Sequence, residues 1–525
     1  MIEIPVLRLG KTYHAAEQIE LRHHATGVPI ARVHQANSGL VARDVQRMRE
    51  RSTILESFRV PDLVKIAKRA GELFMKGTLP CGDQSQTFDD YIASLSATTG
   101  SPISYCRTNA GKIFRIFDDM ETILAGLTRG MAYDVLDRGY AQQDGRMLSY
   151  FREGRVFGAV LPSNSPGVHS LWIPAICLKA PIALKPGREE PWTPLRVIEA
   201  YAAAGIPREA MSFFPTDHGG AAELLRQVDR SMLFGDAKTT APWKNDPRVE
   251  LHGPGYSKIV LGDDEADNWP KHLDLIASSI AANGGRSCIN ASGVWTPRHA
   301  REIAAALAER FAKVQALPVD NPKAEIAAFA NPAVAEAISA GIDAGLREPG
   351  AIDLTLAARG GASRLVKLGS VAYLLPTIVL IDPPASANGV AAAGVAPVAG
   401  GVAATGGVAA SVGGSAPAAA FASDGTSARE RYASHPLADR EFLFPFASVI
   451  ECPTSEMPAA VGSTLVLTAL TRDRDFAARL MAAGNIDRLN IGPIPTFQLS
   501  WDQPHEGNLF EHLYRQRAFQ ISDAA

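Results

Sequence analysis

The sequence predicts an α/β fold built on parallel sheets and divided into more than one domain. Three observations predict it. From residue 156 onward, short apolar strands alternate with helical segments through loops of glycine, proline and small polar residues, the pattern of βαβ units. At 525 residues the chain is too long for one core, because single cores stop growing near about 250 to 300 residues. Hydrophobic residues at 46% and charged residues at 20% describe an ordinary globular protein.

Taken in order, residues 41–68 have helical charge and apolar spacing, and residues 108–136 read as helix because Ile113, Ile116, Met120, Ile123, Leu124 and Leu127 recur every three or four positions. Residues 146–151 and 155–160 are β-rich runs separated by Arg152-Glu153-Gly154, which predicts a hairpin or two adjacent strands. Then come a buried strand over 156–161, an apolar helix over 171–178, a strand over 182–184 ending at Lys185, and a helix over 195–204 closed by Gly205-Ile206-Pro207. Residues 231–236 form another strand end, and 249–255 lead into a strand over 258–261. Parallel sheets bind ligands at the carboxyl ends of their strands, where the loops 162–166 and 185–188 fall.

The net charge of −3 gives no electrostatic reason for a nucleic-acid or anionic-membrane partner. Cys81, Cys106, Cys177, Cys288 and Cys452 are widely spaced, without a Cys-x-x-Cys pair or a histidine at metal-ligand spacing; this argues against disulfides and structural zinc and for a reducing, cytoplasmic setting. The first residues show no secretory signal. Residues 383–423 carry no charge and are alanine, glycine, valine and proline with a few small polar groups. Glycine and proline interrupt them too often for a membrane span, so a low-complexity insertion is expected.

The stretch 283–295, Asn-Gly-Gly-Arg-Ser-Cys-Ile-Asn-Ala-Ser-Gly-Val-Trp, places Cys288 after two glycines on a tight turn between apolar segments. Such a cysteine is either a nucleophile or a small buried hydrophobe. Upstream, Pro162-Ser163-Asn164-Ser165-Pro166, Lys185-Pro186, Ala204-Gly205-Ile206-Pro207 and Gly235-Asp236 fall in order; downstream come Pro376-Thr377 and Glu441-Phe442-Leu443-Phe444-Pro445. Together these motifs resemble the aldehyde dehydrogenase superfamily, with serines for the aromatics of the asparagine loop, Asp236 for serine and Arg286 for glutamine.

That resemblance implies an NAD- or NADP-dependent aldehyde oxidoreductase. Cys288 would be the nucleophile, Asn164 an oxyanion donor, and Lys185, Arg188, Gly235, Asp236 and Glu441 the cofactor-binding residues, with no metal. A thiolate converts a poor hydride donor into a good one and divides one hard step into two. Arg188 near the adenosine ribose points to NADP, although Glu189 and Glu190 follow it. The family's general-base glutamate is displaced: its register falls on Leu251, with Glu250 one position away on the opposite strand face and His252 as a second candidate base. Gly253-Pro254-Gly255 resembles the branch that passes the acyl group to coenzyme A. The expected reaction is therefore aldehyde and acyl-CoA interconversion, with a hydrolytic aldehyde dehydrogenase as alternative and a non-catalytic binding protein as the reading from another class.

The implied architecture is a Rossmann-like NAD(P)-binding domain over residues 1–255, interrupted by an oligomerisation hairpin about 139–155. A catalytic domain follows over 256–480 with the insertion at 383–423, and a closing and oligomerisation segment occupies 481–525. A small-molecule aldehyde or acyl thioester is the expected partner, in a homodimer or homotetramer.

Overall fold

The computed structural model describes residues 1–382 and 427–522, so the predicted insertion at 383–423 lies outside the described residues. Two seven-stranded sheets dominate. The first contains β1 (Val6–Arg8), β2 (Lys11–Tyr13), β3 (Phe157–Val160), β4 (Ile182–Lys185), β5 (Met211–Phe213), β6 (Arg230–Phe234) and β7 (Val249–His252), in the spatial order β7-β6-β3-β4-β5-β1-β2. From β3 to β7 every pairing is parallel, and β1 joins β5 antiparallel.

Both faces of this sheet are covered, which is why its central strands read as continuous apolar runs. Ile182 and Leu184 face one core, with the helices Val60–Lys76, Ile103–Asp118 and Trp192–Ala204. Ala183 faces the other, with Ser38–Glu50 and His218–Gln227. The chain runs from β3 to one side through β4 and β5, then crosses to the other through β6 and β7. Loops leaving β3 and β6 therefore diverge and open a crevice at their carboxyl ends.

The second sheet contains β8 (Lys258–Leu261), β9 (Gly293–Thr296), β10 (Ala351–Asp353), β11 (Thr377–Ile381), β12 (Phe446–Glu451), β13 (Thr464–Leu470) and β14 (Ile486–Ile491), in the order β10-β11-β12-β9-β8-β13-β14. Only the β10–β11 pair is antiparallel. Val260 faces one core, and Ile259 and Leu261 face the other.

Several local expectations need correction. The hairpin turns at Asp144 (φ 51°) and Gly145 (φ 74°), joining Tyr140–Gln143 to Arg146–Arg152. Its partner strand is Tyr514–Gln516, whereas Phe157–Val160 belongs to the first sheet; Arg152-Glu153-Gly154 is a crossing between sheets and not a turn. The expected helix over 108–136 is two helices, Ile103–Asp118 and Met120–Leu127, broken at Asp119, with a short third at Asp134–Arg138. The expected helix over 171–178 is instead the 3₁₀ turns Pro166–Leu171 and Ile173–Ala175. Pro174 lacks an N–H and obstructs the preceding turn, so the apolar segment is buried without forming an α-helix. Among the described residues no helix is long and apolar enough to cross a membrane, and no group of three acidic, histidine or cysteine side chains could hold a metal ion.

Candidate active site

Cys288 lies on the loop between helix Leu273–Ala281 and β9. Three consecutive residues, Asn283 (φ 53°), Gly284 (φ 64°) and Gly285 (φ 70°), adopt the left-handed conformation. A Cβ on Gly285 would overlap the Phe444–Pro445 backbone, so glycine lets this loop press against the segment carrying Glu441. Asn283 donates to Ser165 Oγ (3.2 Å) and Ser287 Oγ (3.1 Å) and accepts from Asn109 Nδ2 (2.7 Å). Arg286 is buried, donates to the carbonyls of Thr99 (3.1 Å) and Ala328 (2.6 Å), and lies over Phe329. Burial lowers its pKa to about 10, so the guanidinium stays charged and anchors the loop through backbone oxygens.

Cys288 is half-buried, while the other four cysteines are fully buried. Its carbonyl accepts from Ser257 Oγ (2.8 Å), and a Cβ on Gly255 would overlap that same carbonyl. Gly255 thus has a packing role: it lets the backbone before β8 lie against Cys288. Burial pushes the thiol pKa well up, Glu506 and Glu441 add to this, and the N–H groups of Cys288 and Ile289 oppose it. Asn164, on the loop after β3, donates through Nδ2 to the Arg286 carbonyl (2.9 Å), two residues from Cys288.

A cavity of about 990 Å³ opens here, lined by Cys288, Asn164, Glu250, His252, Gly235, Asp236 and Glu441. It corrects the register expected for the displaced base. Glu250 and His252, alternate residues of β7, both face the cavity, and Leu251 packs on the far side against the core containing Val6 and Val249. Strand alternation keeps Glu250 with His252 on the cavity face.

His252 stacks on Phe234 and sits between two carboxylates. Its Nε2 is 3.0 Å from Glu250 Oε1, an ion pair rather than an aligned hydrogen bond, and its Nδ1 bonds to Glu506. Burial alone would discharge the ring; Glu506 and Glu250 outweigh it and raise its pKa to about 9. Burial pushes the Glu250 pKa up, but the His252 contacts prevail and hold it below the ordinary carboxylate value. The imidazole is therefore a cation at neutral pH, a bridge between carboxylates and not the free base expected from sequence.

Glu506 is the cavity residue that sequence reasoning missed. It comes from the tail segment Pro504-His505-Glu506-Gly507-Asn508, which crosses the mouth of β7. Gly507 packs so close to the Glu250 carboxylate that a Cβ would fall 2.8 Å from its Cδ. Asn508 Nδ2 donates to the Leu127 carbonyl (2.9 Å), and Arg488 donates to that of Pro504 (2.5 Å). His505, its pKa lowered to about 3 by burial and then by Arg488, stays neutral. The only sequence signal was a polar cluster between a proline and a glycine in a divergent tail.

The expected cofactor residues divide. Glu441 accepts from the Tyr256 N–H (2.8 Å), and burial raises its pKa to about 7 against those backbone donors. Asp236 caps the short helix Ala237–Thr240, bonding Thr239 N (2.8 Å) and Oγ1 (2.7 Å). Lys185 and Arg188 do not line the cavity. Lys185 is half-buried at the carboxyl end of β4; burial lowers its pKa, and the ammonium has no hydrogen-bond or ion-pair partner among the described residues. An unpaired donor in that place fits the hydroxyls of a nucleotide ribose. Arg188 is exposed. Glu190 turns inward to His169 (3.0 Å) and the Thr193 N–H (2.8 Å), away from Arg188's surroundings.

A profile of the aldehyde dehydrogenase family matches residues 12–387. Aminoacetaldehyde dehydrogenase of Pseudomonas aeruginosa is 30% identical over 208 residues, 36% of this chain and 40% of that protein. N-succinylglutamate 5-semialdehyde dehydrogenase of Vibrio cholerae is 25% identical over 197 residues, with the same coverage of 36% and 40%. The chain thus matches about 40% of the length of these curated relatives. Among solved structures, 3,6-anhydro-L-galactose dehydrogenase in complex with NAP superposes with a TM-score of 0.71 at 13% identity, covering 99% of this chain and 100% of that one. Salicylaldehyde dehydrogenase from Pseudomonas putida G7, complexed with salicylaldehyde, gives 0.71 at 12% identity, covering 99% of each. At these identities the structures establish likeness of fold. With the profile covering well over half of its length, the chain belongs to the aldehyde dehydrogenase family.

Proposed function

We propose that this protein oxidises an aldehyde with NAD(P) through a thiohemiacetal and then a thioester on Cys288. The observation that carries the reading is the convergence of Cys288, Asn164 and the Cys288 N–H on one cavity also lined by Glu441. The thiol gives its proton to a neighbouring carboxylate as sulfur adds to the carbonyl carbon. Asn164, turning from the Arg286 carbonyl, and the Cys288 N–H then hold the oxyanion, each worth about 3 to 4 kcal/mol in such sites. NAD(P), when bound, supplies the hydride acceptor. Lys185 and Glu441 would hold its ribose hydroxyls. Arg188, with Glu190 withdrawn into the core, supports NADP over NAD.

The acyl group goes to water in this proposal, with Glu506 as the base. Burial aside, Glu506 is the strongest electrostatic influence on the thiol, and the relatives named above are dehydrogenases of free aldehydes. A second reading, transfer to coenzyme A, is favoured by one observation: His252 ties up both Glu250 and Glu506, which weakens either as a base. The proposal includes assembly as a homodimer or homotetramer through the three-stranded sheet, whose outer strand Tyr140–Gln143 has an unpaired edge among the described residues.

Stopped-flow measurement of reduced cofactor decides the acyl acceptor. Fast steady turnover without coenzyme A, reduced about 10²- to 10⁴-fold by Glu506→Gln to leave a burst, is expected for water. A slow steady state in the unmodified protein, relieved only by coenzyme A, overturns the hydrolytic reading.

A further inference from the structure

The cavity is electrically divided. Glu250, Glu441 and Glu506 gather at the Cys288 end, and each already has protein partners. Another part of the wall is one face of the helix Ile103–Asp118, which contributes Asn109, Lys112, Arg115 and Ile116. Asn109 is bonded to Asn283 of the nucleophile loop, so this helix is fixed relative to Cys288. At 1.5 Å per residue, Lys112 lies about 4.5 Å and Arg115 about 9 Å further along the axis from Asn109.

Lys112 is half-buried, yet no carboxylate or carbonyl meets its ammonium among the described residues. Burial lowers its pKa without opposition from any partner. The two fully buried lysines are paired, Lys179 with Asp137 (2.7 Å) and Lys258 with Asp439 (3.1 Å), and Lys185, half-buried and unpaired like Lys112, is not a cavity-lining residue. Arg115, exposed at the same wall, also has no ion pair there. The same cavity is also lined by the apolar Ile116, Val168 and Leu171. A desolvated cation without a counter-charge is unfavourable unless a ligand supplies one.

We propose that Lys112, assisted by Arg115, is an anion subsite that selects aldehydes carrying a carboxylate at the far end of an apolar chain. The proposal rests on the aldehyde-oxidising reading above. A carboxylate at Lys112 leaves the formyl group towards Cys288; the reverse orientation sets it against Glu250, Glu441 and Glu506. The subsite thus orients the substrate as well as holding it.

Two measurements on the full chain test this. The first is calorimetric binding of hexanoate and of hexan-1-ol, which reads the subsite without turnover. Hexanoate is expected to bind more tightly than the alcohol, to lose at least about 30-fold in Lys112→Met, and to recover in Lys112→Arg. Equal hexanoate affinity in wild type and Lys112→Met overturns the proposal. The second is kcat/KM for hexanal against 6-oxohexanoate, and for butanal against 4-oxobutanoate. A preference for the carboxylated member that collapses in Lys112→Met supports the proposal; equal efficiency within both pairs overturns it while leaving aldehyde oxidation standing. An effect of Lys112→Met confined to the KM for coenzyme A also overturns it, because the cation would then serve the cofactor's phosphates. If no aldehyde reacts but hexanoate binding depends on Lys112, the aldehyde-oxidising reading fails and the anion subsite stands.

Discussion

At the scale of single residues, the site combines groups that only make sense together. A thiol whose proton is held tightly by burial and by two carboxylates is a poor nucleophile alone. In the proposed mechanism it becomes competent when a carboxylate takes the proton in the same step that the oxyanion is stabilised. Asn164 already lies against the nucleophile loop through its bond to the Arg286 carbonyl. Asn164→Ala is therefore expected to lower kcat by about 10²- to 10³-fold through loss of one oxyanion donor. If kcat stays within a few-fold in steady-state assays, Asn164 is only a turn residue supporting that loop.

At the scale of elements, the tail segment 504–508 is a strap across the end of β7. His252 at about 9 is raised above its ordinary 6.5, so its stabilising contribution is full below about 6.5 and is lost as pH rises through 9. Glu250 is depressed, so its share is present above its ordinary 4.5 and is lost as pH falls through its lower folded value. Amide exchange of residues 505–508, taken relative to its intrinsic chemical rate, should accordingly be slowest between about pH 4.5 and 6.5. It should quicken above pH 9 more than exchange in β8. Uniform acceleration across the molecule, or none in the strap, would show that the ion pairs do not hold it.

This strap also marks the limit of what the sequence reveals. The motifs that hold Cys288, Asn164 and Glu441 predict that the three share a site, and the structure brings them to one cavity; the alternation of strands and helices from residue 156 predicts the parallel sheets. Glu506 is not legible in the same way, because His252 is 254 residues away in sequence and no local pattern encodes that contact. Counting back from β8 across Gly253-Pro254-Gly255 assigns the base register to Leu251, whereas the structure turns Glu250 and His252 to the cavity. Apolar spacing predicts a helix over 171–178, but Pro174 removes a donor and the segment folds as 3₁₀ turns.

At the scale of the whole molecule, two sheets present their loops to one cavity, the first supplying Asn164, Gly235, Asp236, Glu250 and His252 and the second Cys288 and Glu441. Arg188 on the exposed rim of the first sheet bears on cofactor choice. At least a tenfold preference for NADP over NAD in kcat/KM is expected, since an arginine pairs with a phosphate but gains little from a hydroxyl. A tenfold preference for NAD would mean that Glu189 or another rim group governs recognition. The central claim, that aldehyde carbon becomes bonded to Cys288, is tested most directly by quenching a single turnover with acid and mapping the modified peptide by mass spectrometry. The expected result is an acyl mass increase on the peptide containing Cys288, formed in step with cofactor reduction and lost together with turnover in Cys288→Ser. Cofactor reduction that persists in Cys288→Ser, or an acyl group found on another residue, would contradict it.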